Sequence, residues 1–216
     1  MSVRVAESAG FCFGVSRAVE LVEQAARGGK TVVTLGPIIH NHHVVDKFRA
    51  LGVEVIDAPE QASPGQTVII RSHGVSRAVY EELQRRGVEI IDATCPFVKR
   101  IHGIVSRAEE EGQLPVIIGT PTHPEVEGIA GWCRDCRVFE TLDGLKNWAY
   151  SKEDLKNSPI CMVSQTTLTE SLWKMCGEFA KKQFTNLKIF DTICRATEYR
   201  QSEAAGLSEI CQAMVV

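Results

Sequence analysis

Short apolar runs rich in β-branched residues alternate along the chain with segments of helical periodicity. The runs predict strands at Val3–Ala6, Thr31–Leu35, Val53–Ile56, Thr67–Ile70, Val88–Ile91, Pro115–Ile118, Ile160–Val163 and Leu187–Phe190. The segments between them predict helices at Ser16–Arg27, His43–Leu51, Ser76–Arg86, Phe97–Glu111, Glu125–Trp132, Leu168–Phe184 and Ala196–Ala213. This alternation is typical of an α/β fold with parallel sheets, whose strand-end loops share one ligand-binding edge.

Two repeated patterns suggest that a structural unit is repeated. The string Gly14–Val19 recurs as Gly74–Val79, in both cases at a predicted helix start where its serine can act as N-cap. The segments Val88–Cys95 and Leu187–Cys194 share another plan: an apolar strand, an aspartate, a short turn, a cysteine and a helix. Repeated α/β modules around a centre would explain how distant segments of the chain meet.

Composition and charge narrow the class of protein. The chain has 216 residues, 44% of them hydrophobic, which is enough for a substantial core. Its 24 basic and 27 acidic residues are interspersed, with a formal charge of -3, so we expect no general nucleic-acid surface. No apolar stretch approaches the ~18 residues of a membrane span and no signal peptide is indicated, so we expect no membrane partner and a cytoplasmic location.

Three of the eight cysteines lie at predicted strand-to-helix junctions, namely Cys12, Cys95 and Cys194. A helix N-terminus lowers the pKa of a thiol and favours the thiolate that binds metal. We expect the three sulfur atoms to gather around one centre, and an iron–sulfur cluster fits better than zinc because three sulfur ligands leave one metal position open. The alternative for each is a small buried hydrophobic residue.

Polar side chains that can bind anions or move protons also follow predicted strands. His40, His73 and His123 lie in turns where an imidazole can donate to a diphosphate oxygen or to a hydroxyl group. Glu125 lies at a helix start, where helix charge alone is an alternative reason for a carboxylate, and N-capping is the alternative for Thr166. Surface, capping or helical positions without such support are predicted for the other histidines, His42, His43 and His102.

The pair Cys133 and Cys136 forms a C-x-x-C motif. No second pair lies at zinc-finger spacing and no thioredoxin-like context surrounds it, so we interpret it as an incidental loop pair, with opportunistic metal binding as the alternative. The remaining cysteines lie in apolar strand or helix patterns and are predicted to be in the core: Cys161, Cys176 and Cys211.

Taken together, the strand-end segments resemble the 4-hydroxy-3-methylbut-2-enyl diphosphate reductase family, whose reaction ends the methylerythritol phosphate route to isoprenoids. The resemblance covers nearly the whole chain in the family's order. Its motifs are GFCFGV from Gly10, His40-Asn41 with Val44-Val45-Asp46, SHGV from Ser72, DATCP from Asp92, HPEVEG from His123, QTTL from Gln165 and ICRAT from Ile193.

The resemblance implies three pseudo-symmetric α/β modules around a central cluster site. The first would comprise residues 14–95, the second residues 96–190, and an incomplete third residues 191–216 with residues 1–13. Cys12, Cys95 and Cys194 would hold a [4Fe-4S] cluster, which oxidation can convert to a [3Fe-4S] cluster or remove.

The resemblance also implies a reaction. It is the two-electron reductive dehydroxylation of a small allylic diphosphate, 4-hydroxy-3-methylbut-2-enyl diphosphate, to isopentenyl and dimethylallyl diphosphate. A ferredoxin or flavodoxin-type protein would donate the electrons. Glu125 would be the proton source, Thr166 would orient or relay the proton, and His40, His73 and His123 would surround the substrate.

In the family the chain continues beyond a strand that would begin at Met214, into a Ser/Asn-rich diphosphate-binding turn. We therefore expect a chain that stops short of the family's length. Two alternatives to an enzyme remain open: an iron–sulfur electron carrier and a metal-free structural fragment. An electron carrier has no use for proton donors beside its cluster, so the histidines, Glu125 and Thr166 favour the enzyme.

Overall fold

A computed structural model describes residues 3–39, 41–151 and 153–215 and contains two parallel four-stranded sheets in this part of the chain. The first sheet has the order β2-β1-β3-β4 and the second the order β6-β5-β7-β8. The strands are β1 (Val32–Leu35), β2 (Glu54–Ile56), β3 (Thr67–Ile70), β4 (Glu89–Asp92), β5 (Leu114–Ile118), β6 (Arg137–Phe139), β7 (Ile160–Ser164) and β8 (Leu187–Ile189).

Helices connect the strands and cover the sheets. They are α1 (Phe13–Ala26), α2 (His42–Ala50), α3 (Arg77–Arg85), α4 (Pro96–Glu110), α5 (Pro124–Ala130), α6 (Leu142–Tyr150), α7 (Glu170–Gln183) and α8 (Arg195–Ile210). Short 3-10 helices lie at Pro59–Gln61 and Glu153–Asn157. The predicted α/β class is confirmed, and the identical strand order of the two sheets supports the predicted repetition.

The central strands explain why the apolar runs in the sequence are continuous rather than alternating. β1, β3 and β7 are buried at every position because helices lie against both faces of a parallel sheet. The outer strands β2 and β8 are partly exposed. The cores on the two faces of the second sheet include Ile118 and Met162 on one side and Ile117 and Val163 on the other.

No third sheet forms among the described residues. The strand predicted at Val3–Ala6 is wrong. Val3 and Val5 are 90% and 76% exposed, and none of the described strands forms backbone hydrogen bonds with this segment. The chain from Met214 to Val215 is likewise outside any strand, and Val216 lies outside the described residues. The assignment of three modules by residue range stays a prediction.

Side chains of α8, rather than a sheet, hold the N-terminal segment. The Glu203 carboxylate accepts hydrogen bonds from the backbone N–H groups of Glu7 and Ser8, at 2.6 and 2.8 Å. Arg200 donates to the carbonyl oxygens of Ser8 and Gly10, at 3.1 and 2.8 Å. The segment that leads to Cys12 is thereby attached to the helix that follows Cys194.

The sequence prediction missed β6 and α6. β6 is a three-residue outer strand containing an arginine, so its apolar signal is short. α6 contains Gly144 in its first turn, but its start is marked by Thr141, whose hydroxyl accepts from the Gly144 N–H at 3.1 Å. The i,i+4 pair Leu145 and Ala149, both buried, was the available signal for this helix.

Candidate functional site

Each of the three predicted cysteine ligands occupies the same local position. Cys12, Cys95 and Cys194 are the N-caps of α1, α4 and α8, and all three are half-buried. The helix N-terminus leaves backbone N–H groups without intrahelical partners, so a sulfur atom there faces positive potential. The predicted strand-end placement is confirmed for Cys95, which follows β4, and for Cys194, which follows β8. It is wrong for Cys12, because no strand precedes α1 among the described residues.

Arg17 ties the Cys12 helix to the Cys95 loop. Its guanidinium donates to the carbonyl oxygens of Asp92 and Thr94 at 3.2 and 3.3 Å. Gly14 allows the close approach, since a Cβ at this position would lie 2.5 Å from the Cys95 sulfur. Neither role follows from the sequence pattern, although both residues lie in the repeated string Gly14–Val19.

The Cys95 thiol shows where the expectation of a lowered pKa is wrong. Burial raises the pKa of Cys95, and the neighbouring Cys12 and Cys194 sulfurs add to this rise. The backbone N–H groups of Phe97 and Val98 act in the opposite direction, as expected of a helix N-terminus, but they are outweighed. The electrostatic effect of both other cysteines on Cys95 indicates that the three thiols share one region.

The three thiols do not form a compact ion site. Within residues 3–39, 41–151 and 153–215, no three His, Cys, Asp or Glu side chains are close enough to hold one metal ion. The ligands of a polynuclear cluster bind different metal atoms, so they stand further apart than the ligands of one ion.

Glu125, in the first turn of α5, and Thr166, in the loop after β7, form a buried pair. The Glu125 carboxylate accepts from the Thr166 backbone N–H at 2.6 Å and from the Thr166 hydroxyl at 2.7 Å. Glu125 is 3% and Thr166 6% exposed. The Thr166 carbonyl oxygen in turn accepts from the Cys194 N–H at 2.7 Å. The carboxyl group is therefore connected to a predicted cluster ligand through one residue.

Burial sets the ionisation of this pair. Burial raises the pKa of Glu125, and the two hydrogen bonds from Thr166 reduce the rise without cancelling it. A carboxyl group of this kind holds its proton to higher pH than an exposed one, which suits a proton donor. N-capping is excluded as the role of Thr166, because Thr169 is the N-cap of α7.

The predicted histidines lie beside this pair as far as they are described. His123 is the N-cap of α5, and its Nδ1 atom accepts from the Glu125 N–H at 3.1 Å. In a neutral imidazole the proton is then on Nε2. The His73 ring packs edge-on against the His123 ring, with centroids 5.7 Å apart. His40 lies outside the described residues.

The structure confirms some of the predictions for the remaining histidines and cysteines and contradicts others. His42 and His43 are exposed in the first turn of α2, as predicted. Cys161 and Cys176 are buried core residues, also as predicted, but Cys211 is only half-buried because α8 ends there at the surface. His102 is an unexpected case: it is 4% exposed and stacks on Trp132, with centroids 5.2 Å apart.

The fold and the site together indicate a parallel α/β protein whose cysteines, histidines and buried glutamate lie near the starts of helices. The protein family described as "LytB protein" matches residues 3–216, and the chain belongs to this family. Among its relatives, 4-hydroxy-3-methylbut-2-enyl diphosphate reductase of Caldanaerobacter subterraneus subsp. tengcongensis is 42% identical, covering 100% of this chain and 75% of the relative. The protein of the same name from Aquifex aeolicus is 40% identical, covering 100% of this chain and 74% of the relative.

Solved structures support the fold. The structure of an (E)-4-hydroxy-3-methyl-but-2-enyl diphosphate reductase, described as the terminal enzyme of the non-mevalonate pathway, superimposes with a TM-score of 0.81 at 39% identity, covering 95% of this chain and 73% of the other. The Plasmodium falciparum E-1-hydroxy-2-methyl-but-2-enyl-4-diphosphate reductase gives a TM-score of 0.84 at 28% identity, covering 94% of this chain and 64% of the other.

The helices in the described part of the chain are too short or too polar to span a membrane.

Proposed function

We propose that the chain carries the site of an iron–sulfur oxidoreductase for the reductive dehydroxylation of 4-hydroxy-3-methylbut-2-enyl diphosphate to isopentenyl and dimethylallyl diphosphate. The names of the relatives support the substrate. The observation that carries the proposal is the connection from buried Glu125 through Thr166 to the backbone of Cys194. This connection supports the assignment of Glu125 as a proton donor beside a predicted metal ligand.

The cysteines fit a [4Fe-4S] cluster by their chemistry. Cys12, Cys95 and Cys194 each stand at a helix N-terminus, and the Phe97 and Val98 N–H groups stabilise negative charge on Cys95. The repulsion from Cys12 and Cys194, which adds to the rise that burial causes in the pKa of Cys95, would be relieved when thiolates bind a metal. A cluster held by the three thiolates would supply electrons and an iron atom open to the substrate hydroxyl group.

The polar residues would bind the substrate and deliver the proton. Glu125, whose pKa is raised by burial, would protonate the leaving hydroxyl group, and the Thr166 hydroxyl would orient the carboxyl group through its 2.7 Å contact. His123, fixed by its contact with the Glu125 N–H, would present Nε2–H toward the diphosphate, with His73 and His40 completing the anion site. A ferredoxin or flavodoxin-type protein would deliver the electrons.

Glu125→Gln tests the proposal. The amide has the same shape and retains a hydrogen-bond acceptor for the Thr166 N–H, but it has no acidic proton. After anaerobic reconstitution with iron and sulfide, we expect the variant to keep the cluster's visible absorption and to lose about 100-fold or more of the turnover rate with a chemical reductant.

Glu127→Gln is the matched control. It lies on the same helix turn but is exposed, so turnover should remain near that of the unmodified chain. Full turnover by Glu125→Gln would refute the proton-donor role. Two outcomes for the unmodified chain would favour the alternatives. A brown unmodified chain that contains iron and sulfide but has no turnover would indicate an electron carrier. A colourless unmodified chain prepared without oxygen would indicate a metal-free fragment.

A further inference from the structure

The C-x-x-C pair lies in a turn that the proposed reaction does not use. Cys133 and Cys136 lie between the end of α5 and the start of β6, and both are half-buried against the core that contains Ile129. The Cys133 thiol donates to the Ala130 carbonyl oxygen at 3.4 Å. Both cysteines pack against the same core cluster from one turn, and each affects the pKa of the other, so the two thiols are neighbours in the fold.

The two thiols are chemically unequal. The neighbouring Cys133 thiol lowers the pKa of Cys136, the Arg137 guanidinium lowers it further, and burial and Asp135 oppose these effects. Cys136 is in turn the largest cause of a raised pKa at Cys133, with burial next. The pair therefore stabilises a single thiolate on Cys136 and keeps the proton on Cys133, an arrangement of nucleophilic and resolving thiols.

We propose that Cys133 and Cys136 form a redox-active dithiol that is oxidised reversibly to an intramolecular disulfide by low-molecular-weight disulfides. The turn geometry allows this because the two residues lie three positions apart in one turn and pack against the same core cluster. This inference does not rest on the proposed iron–sulfur function.

The exchange proceeds in two balanced steps. The Cys136 thiolate attacks one sulfur of the disulfide, a mixed disulfide forms at Cys136, and one thiolate leaves. Cys133 then loses its proton and its sulfur attacks the Cys136 sulfur, which releases the second thiolate. Overall the two protein thiols lose two electrons and two protons, and the small disulfide becomes two thiols.

The position of the pair connects this chemistry to the rest of the molecule. The turn ends α5, the helix whose first turn contains Glu125. It follows Trp132, whose indole N–H donates to the Val75 carbonyl oxygen at 2.8 Å and so connects the turn to the first α/β unit. A disulfide here would form in a turn that is held by α5 on one side and by the Trp132 hydrogen bond to Val75.

Trypsin provides a direct test because Arg134 lies between the two cysteines. Cleavage after Arg107, Arg134 and Arg137 separates peptide 108–134, with Cys133, from peptide 135–137, with Cys136. After exposure of the intact chain to oxidised glutathione, alkylation of the remaining thiols and digestion, we expect the two peptides to be joined. Prior treatment with dithiothreitol should separate them again.

Single variants test the assigned roles. Cys133→Ser should accumulate a glutathione adduct on Cys136, because the resolving thiol is missing, whereas Cys136→Ser should acquire an adduct at Cys133 at least about 10-fold more slowly, because it lacks the stabilised thiolate. Cys161→Ser, in the core, is the control and should form the joined peptides as the unmodified chain does. Separate peptides in the oxidised unmodified chain, or equal adduct rates in the two variants, would overturn the proposal.

Discussion

Two buried ionisable side chains, Glu125 and His102, carry opposite pKa shifts with one cause. Burial disfavours the charged form of each, so it raises the pKa of Glu125 and lowers the pKa of His102 to about 4. Near His102, Asp92 raises the pKa and Lys99 lowers it, both less than burial does. Burial therefore shifts the titration of both side chains toward the neutral form.

His102 should make the stability of the protein sensitive to acid. The pKa of His102 in the fold lies below its unfolded value near 6.5, so the contribution to stability is complete above pH ~6.5 and is lost as the pH falls toward 4. The loss should reach about 3 kcal/mol. Urea unfolding from pH 7 to pH 4 should show this slope in the unmodified chain.

His102→Gln is the comparison that isolates this effect. It keeps a polar side chain at the position but cannot take up a proton, so its stability should be lower at pH 7 and should fall less between pH 6.5 and pH 4. Parallel stability curves for the two proteins would contradict the assignment. Other titrating groups, Glu125 among them, contribute to both curves and cancel in the difference.

At the scale of single residues, the sequence identified reactive side chains but not the burial and neighbouring charges that set their pKa values. Cys95, Glu125 and Thr166 could be singled out because they follow strands in recognisable motifs. The raised pKa of Cys95 could not be predicted, because it depends on burial and on two sulfurs from distant segments. Arg17 was missed for a similar reason: its acceptors are carbonyl oxygens of another loop, which no sequence pattern marks.

At the scale of elements, one repeated string gives two different helix starts. In the second copy Ser76 is the N-cap of α3, with its hydroxyl accepting from the Val79 N–H at 3.3 Å, as predicted. In the first copy α1 already begins at Phe13 and Cys12 is its N-cap, so the prediction for Ser16 is wrong. The Ser16 N–H instead donates to the Cys12 carbonyl oxygen at 2.8 Å inside the helix.

This difference predicts unequal costs for the same substitution. Ser76→Ala removes the acceptor for a helix N–H and should destabilise the chain by about 1 kcal/mol. Ser16→Ala is the matched control and should change the stability by less than about 0.5 kcal/mol, because alanine is the better residue inside a helix. Chemical unfolding of both variants measures this, and equal losses would show that Ser16 also caps a helix.

Element type was predictable wherever burial imposed a long apolar pattern. The central strands follow from it, because a strand covered on both faces needs an uninterrupted apolar run. Six of the helices follow from it as well, whereas α8 was predicted although none of its described residues is buried. The strand predicted at Val3–Ala6 has the right composition but no neighbour with which to pair. Pairing is a tertiary property, so composition alone could not decide that case.

At the scale of the whole molecule, the site depends on contacts between the two ends of the described chain. Glu203 and Arg200 on α8 hold Glu7, Ser8 and Gly10 by backbone hydrogen bonds rather than by a sheet. Because Cys194 caps α8 and Cys12 follows the attached segment, these contacts attach the chain that leads to Cys12 to the helix that Cys194 begins. The predicted third module would thus be held together by side chains in this part of the chain.

Glu203→Ala should therefore release the segment that leads to Cys12 while leaving the two sheets intact. Hydrogen exchange measured by mass spectrometry should show faster exchange at the Glu7 and Ser8 amides and unchanged exchange in β3 and β7. Glu209→Ala, on an exposed position of the same helix, should leave both regions unchanged.

Since the Ser8 contacts lower the pKa of Glu203, the release should also occur in the unmodified chain as Glu203 is protonated in acid. Exchange that stays slow at Glu7 and Ser8 in Glu203→Ala would mean that other contacts hold the segment that leads to Cys12.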